Sequence, residues 1–320
     1  YENSLVRILI VTPAAARSRS GNRLTAMRWA RLLRRSGHQV TVSTDFGRQR
    51  ADLLIALHAR RSHQAIVHWR RQRKGAPVVL ALTGTDLYGD IHTDADAQQS
   101  LQLADRFIVL QEAGLQELPS DLRSIARVIV QSVLPAKGIY PPRARVFEVC
   151  VLGHLREVKD PFRTAEASRR VPASSRLQVS HAGRALSVEM EERAQQEMTQ
   201  NPRYRWLDEL PRWRAMRLLA RSQAMVLSSV MEGGANVVCE AIASRVPVIS
   251  SRISGSIGLL GADYPGYFDV GDTAQLALLL QQLEQDPDFH DQLQTWVSDR
   301  TAMVDPATEQ ALLQALIEEF

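Results

Sequence analysis

The sequence predicts an α/β protein of two doubly wound, Rossmann-like domains of parallel strands that face a central cleft. Three observations predict it. Short β-branched runs alternate with longer helical patterns along all 320 residues. Runs such as Leu53–Leu57 (LLIAL) and Val78–Leu82 (VVLAL) are apolar without alternation, so their strands need cover on both faces, as parallel sheets provide. A proline- and glycine-punctuated segment stops the pattern near the middle of the chain, and beyond it the pattern restarts.

In the first half, strands are expected at Val6–Thr12, Val40–Thr44, Leu53–Leu57, Val78–Leu82, Phe107–Leu110 and Val128–Val130. Helices are expected near Arg23–Arg35, Ser62–Gln72, Asp94–Leu103 and Ala113–Leu118. From Gln131 to Arg145, Pro135, Gly138, Pro141 and Pro142 extend neither a helix nor a central strand, which marks a linker. Strands resume at Phe147–Leu152, Leu177–Ser180, Tyr204–Leu207, Met225–Ser228, Pro247–Ser250 and Tyr267–Asp269. Helices near Pro161–Arg170, Val188–Gln200, Trp213–Arg221, Asn236–Ser244 and Ala274–Glu284 separate them. The expected domains are therefore 1–140 and 146–300, with 301–320, mostly the helical stretch Ala307–Phe320, folding back onto the first.

Hydrophobic residues make up 45% of the chain and charged residues 23%, which excludes disordered and fibrous classes. With 39 basic and 35 acidic side chains, the net charge of +4 is too small for a nucleic-acid footprint but compatible with anionic small molecules. Only Lys74, Lys137 and Lys159 are lysines, so a lysine in a candidate site stands out. Cys150 and Cys239 lie in apolar surroundings without CxxC or nearby histidine spacing, which indicates neither a disulfide framework nor zinc. Leu5–Ala16 ends like a secretion signal, but Glu2, Arg7 and Pro13 interrupt that pattern and the stretch reads as a buried strand. No apolar run is long enough to cross a bilayer, so a cytoplasmic protein with no membrane or nucleic-acid partner is expected.

Chemistry concentrates in loops that follow strands. In Met231–Glu240 (MEGGANVVCE), Glu232 and Glu240 stand eight residues apart across a helix start. Gly233 and Gly234 let the backbone approach a ligand, and the helix opening at Ala235 and Asn236 offers N–H groups to an anion. Equally, Glu232 is what the dipole of a helix start favours, and Glu240 what a solvated face carries. Leu152–Pro161 (LGHLREVKDP) provides Gly153 for close approach, with Arg156 and Lys159 to neutralise a diphosphate leaving group; a solvated charged turn reads the same way. In the small-residue loop closing Ser244–Ser256, Gly255 and Ser256 either present N–H groups to a phosphate or sugar or simply connect strand to helix.

In this order and at these separations, the three pieces resemble the carboxyl-terminal donor domain of family-four-type glycosyltransferases of the GT-B fold. The resemblance implies that Glu232 meets the donor sugar's hydroxyls, Glu240 the ribose and Lys159 the diphosphate. The family's arginine after the glycine is His154 here, with Arg156 close by. In the first domain, Arg17, Arg19, Gly21 and Asn22 stand where the family has a glycine loop near the leaving phosphate, although Gly21 is a single glycine where two are usual. His58-Ala59-Arg60-Arg61 and Thr83-Gly84-Thr85-Asp86 end two strands, and in the family such histidines and Gly-x-Asp loops form the acceptor side. Read without the family, His58 is equally a satisfied strand-end histidine and Asp86 a cap or turn residue. The implied catalytic set is Glu232, Lys159 and His58. Asp94-Ala95-Asp96 matches the metal-binding Asp-x-Asp of GT-A transferases, but it opens a helix instead of ending a strand. The resemblance to GT-B enzymes of this type implies no metal and no cofactor beyond the UDP-sugar substrate, with basic side chains and helix ends stabilising the leaving group.

Four stretches are similar to a narrower group, the SenB-type selenosugar synthases of selenoneine biosynthesis: Ile55–Ser62, Leu82–Tyr88, Met231–Ala235 and Gly258–Tyr264. That resemblance runs from Arg7 to about Leu280. It implies transfer of a sugar from UDP-N-acetylglucosamine to selenophosphate with formation of a carbon–selenium bond, and a functional link to other selenoneine-pathway enzymes. A small, multiply charged acceptor needs a basic wall, which His58, Arg60, Arg61, Arg17 and Arg19 supply unless they form an ordinary solvated face. A conventional glycosyltransferase with a hydroxyl or thiol acceptor, a non-catalytic sugar-nucleotide-binding module and a UDP-sugar epimerase are the competing readings.

Overall fold

In the computed structural model, which describes residues 5–16, 21–47 and 49–320, the chain forms two units. One comprises Tyr1–Ser132 with Asp305–Phe320, the other Val133–Val304. Arg17 and Arg19 lie outside the described residues.

The first unit is a six-stranded parallel sheet of β1 (Arg7–Val11), β2 (Gln39–Ser43), β3 (Leu53–Leu57), β4 (Val78–Leu82), β5 (Arg106–Val109) and β6 (Ala126–Val128), in the order β2-β1-β3-β4-β5-β6. Every residue of β3 and β4 is buried. Successive side chains point to opposite faces, so the unbroken apolar runs feed two cores at once. Leu54, Ala56, Val78, Leu80 and Leu82 join one core with Ala65, Ile66 and Trp69 of the helix His63–Gln72. Leu53, Ile55, Leu57, Val79 and Ala81 join the other with Trp29, Leu32 and Leu33 of the helix Gly21–Arg35.

The last helix, Pro306–Ile317, also covers that second face, burying Leu313, Leu316 and Ile317 at about 1.5–3 kcal/mol each. It is locked by one buried carboxylate. Glu309 accepts hydrogen bonds from Trp29 Nε1 (2.7 Å), Arg28 Nε (3.1 Å) and the Ser132 backbone N–H (2.9 Å), so the charge is fully satisfied where it would otherwise be costly.

The second unit repeats the plan with β7 (Phe147–Leu152), β8 (Leu177–Ala182), β9 (Tyr204–Trp206), β10 (Ala224–Leu227), β11 (Val248–Ser251) and β12 (Tyr267–Phe268), ordered β12-β11-β10-β7-β8-β9. In each sheet the winding reverses once, between β1 and β3 and between β7 and β10. At such switch points the loops leaving neighbouring strands diverge to opposite faces and open a crevice beyond the strand ends.

Five stretches depart locally from expectation. The stretch expected as a helix at Ala113–Leu118 is a 3-10 segment, Glu112–Glu117, and the helix expected at Pro161–Arg170 is shortened to Arg163–Ser168. The small-residue loop expected around Gly255 and Ser256 is instead the first turn of a helix, Ser254–Leu260; tertiary packing overrides the low propensity of Ser-Gly-Ser. A helix not anticipated at all, Pro287–Ser298, starts at Asp286, whose side chain caps it, with Pro287 in its first turn. Asp86–Asp90 forms a single π-helical turn, a distortion that propensity does not signal. Among the described residues no helix is long and apolar enough to cross a membrane.

Candidate active site

The loops leaving β7 and β10 meet at the second sheet's switch point. Residues 153–161 follow β7 and residues 228–235 follow β10. The Val230 N–H donates to the Val158 carbonyl (2.9 Å), and Ser228 Oγ donates to the carbonyls of Lys159 (3.2 Å) and Asp160 (2.8 Å). These bonds deliver Lys159, at the end of a 3-10 turn, to Glu232. Its ammonium donates to Glu232 Oε1, which also accepts from Ser229 Oγ (2.7 Å). Both side chains are mostly, not wholly, buried, at 21% and 13% exposure, so the pair is partly desolvated yet reachable by a ligand. An arriving anion competes with Glu232 for the lysine, and Glu232 can then accept from a neutral hydroxyl.

Two glycines make this packing possible. A Cβ on Gly255 would sit 2.2 Å from the Glu232 carbonyl oxygen, so the helix Ser254–Leu260 can press against the loop only with glycine there. The Ser256 N–H is already bonded to the Ile253 carbonyl (3.0 Å), which corrects the expectation that it is offered to a ligand. A Cβ on Gly183 would lie 1.8 Å from the Gly153 carbonyl oxygen, whereas one on Gly153 would meet nothing within 4 Å.

The Gly153 carbonyl is held by a residue that the sequence reading passed over. His181, at the end of β8, donates from Nε2 to Gly153 O (3.1 Å), which fixes its tautomer and leaves Nδ1 to accept from the Tyr204 hydroxyl (2.9 Å). Burial lowers its pKa to about 4. His154, in the position of the family's arginine, accepts the Arg184 N–H at Nδ1 (3.1 Å), and burial holds its pKa below the ordinary histidine value. Glu209 acts against that shift; Arg184, Arg156 and Lys159 reinforce it. A neutral His154 adds no positive charge, but three cations surround it, of which Arg184 had no sequence signal beyond the run Ser180-His181-Ala182-Gly183-Arg184. Arg156 is exposed.

The helix Asn236–Ser244 begins as expected, with Ala235 buried and its carbonyl accepting from Val238 (2.8 Å) and Cys239 (3.2 Å), beside the buried Gly233 and the partly buried Gly234. Its first N–H groups lack intrahelical acceptors. Glu240 lies in the second turn and pairs with Arg212 of the helix Arg212–Arg221 (2.6 Å), so it is neither a solvated face residue nor an open acceptor. Cys150 is buried and its thiol is pushed up to about 12, which removes it as a nucleophile.

In the first unit, β3 and β4 end side by side in the expected loops. Asp86 is fully buried, and its carboxylate accepts three backbone N–H groups, from Gly84 (2.8 Å), Ala59 (3.0 Å) and Thr83 (3.2 Å). It therefore ties the two loops together and is not open to an acceptor, which corrects the direct contact expected of it. Gly84 has open space where a side chain would point. His58 is 3% exposed and adopts a left-handed backbone, φ +78°, at which a β-carbon is strained. Thr83 Oγ1 and His58 Nε2 are buried and have no hydrogen-bond partner among the described residues. Arg60 is exposed beside them and pairs with Asp90 (3.0 Å). Gly21 and Asn22 form the first turn of the helix Gly21–Arg35, which carries no acid there and would oppose no anion. Asp94 caps the helix Ala95–Leu103 by accepting the Ala97 N–H (2.9 Å), and Asp96 faces His63 (3.5 Å); the Asp-x-Asp is thus part of a helix start. The described residues hold no cluster of three or more side chains suited to a metal ion.

Residues 139–296, which include both loops of the second switch point, match the profile of glycosyl transferases group 1. This region belongs to that family. The group 1 region and the first unit together have the GT-B architecture. Anabaena Alr3699/HepE, crystallised with UDP and glucose, superposes with a TM-score of 0.75 at 17% identity, over 98% of this chain and 100% of that one. Sucrose-phosphate synthase from Thermosynechococcus elongatus gives 0.76 at 16% identity, over 98% of each chain. The lipopolysaccharide outer core galactosyltransferase WaaB gives 0.69 at 12% identity, over 98% of this chain and 99% of that one. At these identities the likeness establishes the fold. No curated protein matches the chain by sequence at a significant level.

Proposed function

We propose that the protein is a metal-independent glycosyltransferase that moves a sugar from UDP-N-acetylglucosamine to selenophosphate. The observation that carries this reading is the meeting of Lys159 and Glu232, 73 residues apart in sequence, at the switch point of a sheet within the group 1 region. A UDP-sugar donor is supported by HepE, a fold relative crystallised with UDP-glucose. Selenophosphate is supported by the resemblance of four stretches to selenosugar synthases and by the basic loop His58-Ala59-Arg60-Arg61.

The selenium attacks the anomeric carbon; the C1–Se bond forms as the C1–O bond to the diphosphate breaks, and the electron pair leaves on UDP. Lys159, Arg156 and Arg184 offset the developing negative charge. Glu232, relieved of Lys159, orients a sugar hydroxyl, and Glu240, relieved of Arg212, the ribose. Selenophosphate is strongly nucleophilic at neutral pH, so orientation and charge neutralisation outweigh the need for a strong base.

The test is incubation with UDP-N-acetylglucosamine and selenophosphate, with mass spectrometry for a selenium-bearing sugar. That product supports the reading, and its persistence in a chelator supports metal independence. Transfer only to hydroxyl or thiol acceptors, donor interconversion without acceptor, or donor binding without turnover would each replace it with the corresponding competing function. Lys159→Ala should lower kcat/KM by about 10²–10³-fold with unchanged circular dichroism; undiminished turnover would remove the leaving-group role.

A further inference from the structure

His58 is the most conspicuous unfinished group in the molecule. The Arg61 N–H donates to Nδ1 (3.4 Å), so in the neutral ring the proton sits on Nε2. That N–H is buried and has no hydrogen-bond partner among the described residues, an arrangement that costs about 1–3 kcal/mol unless something repays it. The nearest carboxylate oxygen facing it is Asp90 Oδ2, 3.8 Å away and beyond bonding distance. The same oxygen is held at 3.0 Å by Arg60 Nε. Asp90 ends the π-helical turn Asp86–Asp90, and the other end, Asp86, is anchored by its three backbone amides, with Oδ2 4.0 Å from His58 Nδ1.

One carboxylate oxygen therefore stands between two donors of unequal circumstance. Arg60 is 44% exposed, so its bond to Asp90 is a surface ion pair worth about 1 kcal/mol or less. The His58 N–H is buried, where a bond to a carboxylate is worth more. A dianion bound at Arg60 would outcompete a single carboxylate for the guanidinium and release Asp90.

We infer that Asp90 is a positioning residue for His58: when an anionic acceptor takes Arg60, Asp90 closes on His58 Nε2 and fixes the ring's orientation and charge. Four charged groups face the ring and set its titration. Burial is the largest influence and lowers the pKa; Asp86 raises it, Arg61 lowers it, Asp90 raises it and Arg60 lowers it. In this inference the influence of Arg60 passes chiefly through Asp90. It rests on the transferase reading only in calling the anion an acceptor.

The test needs no substrate. The His58 ring is titrated by NMR in the wild-type protein, Arg60→Gln, Asp90→Asn and the double variant. Releasing Asp90 by Arg60→Gln should raise the His58 pKa by about one unit. In the Asp90→Asn background the same substitution should raise it by less than half as much, and Asp90→Glu should restore the response. An equal rise in both backgrounds would show that Arg60 acts directly through its field and would overturn the inference, as would no rise in the wild-type background. Loss of the folded spectrum in Asp90→Asn transfers the comparison to Asp90→Glu, where an Arg60→Gln response equal to that of wild type is required and its absence refutes the inference. A failed selenosugar assay leaves this titration intact, and a failed titration leaves the assay standing.

Discussion

Two buried histidines stand at the carboxyl ends of strands, one in each unit, and they are in opposite states. His181 has both ring nitrogens engaged, by the Gly153 carbonyl and the Tyr204 hydroxyl, and serves as a fixed strut beneath the loop that carries Lys159. His58 has one nitrogen engaged, one bare, and a strained backbone. The difference teaches that burial of a histidine says little about its task; the count of satisfied nitrogens separates the structural ring from the one left available for chemistry.

The contrast breaks most sharply at Gly183. Gly183→Ala forces a Cβ into the Gly153 carbonyl, with an expected cost of about 3 kcal/mol or more and loss of UDP binding, measured by thermal melting and calorimetry. Unchanged melting would mean that the strut has no fixed seat.

His181 itself supplies the next test. Its folded pKa of about 4 lies below the ordinary value of about 6.5, so the unfolded chain binds the extra proton first. Its stability contribution is complete above pH 6.5 and is lost as pH falls towards 4, by about 3 kcal/mol in all. Denaturant midpoints across that window should fall in the wild type and flatten in His181→Phe. Burial also lowers the His58 pKa, so His58→Phe should likewise reduce the loss of stability as pH falls below the ordinary histidine value, and comparing the two variants ranks the rings.

Asp86→Asn weakens three amide bonds without removing the side chain, and should destabilise the first unit by about 2 kcal/mol. The smallest effect is expected of Thr83→Val. Its hydroxyl has no hydrogen-bond partner among the described residues, so unfolding free energy should change by less than about 0.5 kcal/mol, while the acceptor KM rises. A large loss of stability would show that the hydroxyl is structural.

Much of this was legible in advance. Among the described residues, all twelve strands fall within two residues of where β-branched runs put them, because strands covered on both faces require unbroken apolar sequence. Gly153, Lys159 and Glu232 stood out because their loops, in this order and at these separations, resemble a glycosyltransferase donor domain; glycine and charge alone read equally as solvated turns. His181 was not, since a histidine inside an apolar strand looks like any other core residue until its partners are known. Asp90 was hidden for a related reason: a π-helical turn arises from packing, and nothing in Asp-Leu-Tyr-Gly-Asp distinguishes it from an ordinary helix start.

Sequence alone determined the parallel sheets, their repetition and the candidate loops at the strand ends, because hydrophobic period and glycine placement are local properties. Only the tertiary structure decided that Glu232 grips Lys159, that Asp86 is spent on backbone amides, and that His58 keeps an unbonded nitrogen beside Asp90. Each of those depends on where oxygens and nitrogens distant in sequence come to rest, and a hydrogen bond is gained or lost over less than an ångström.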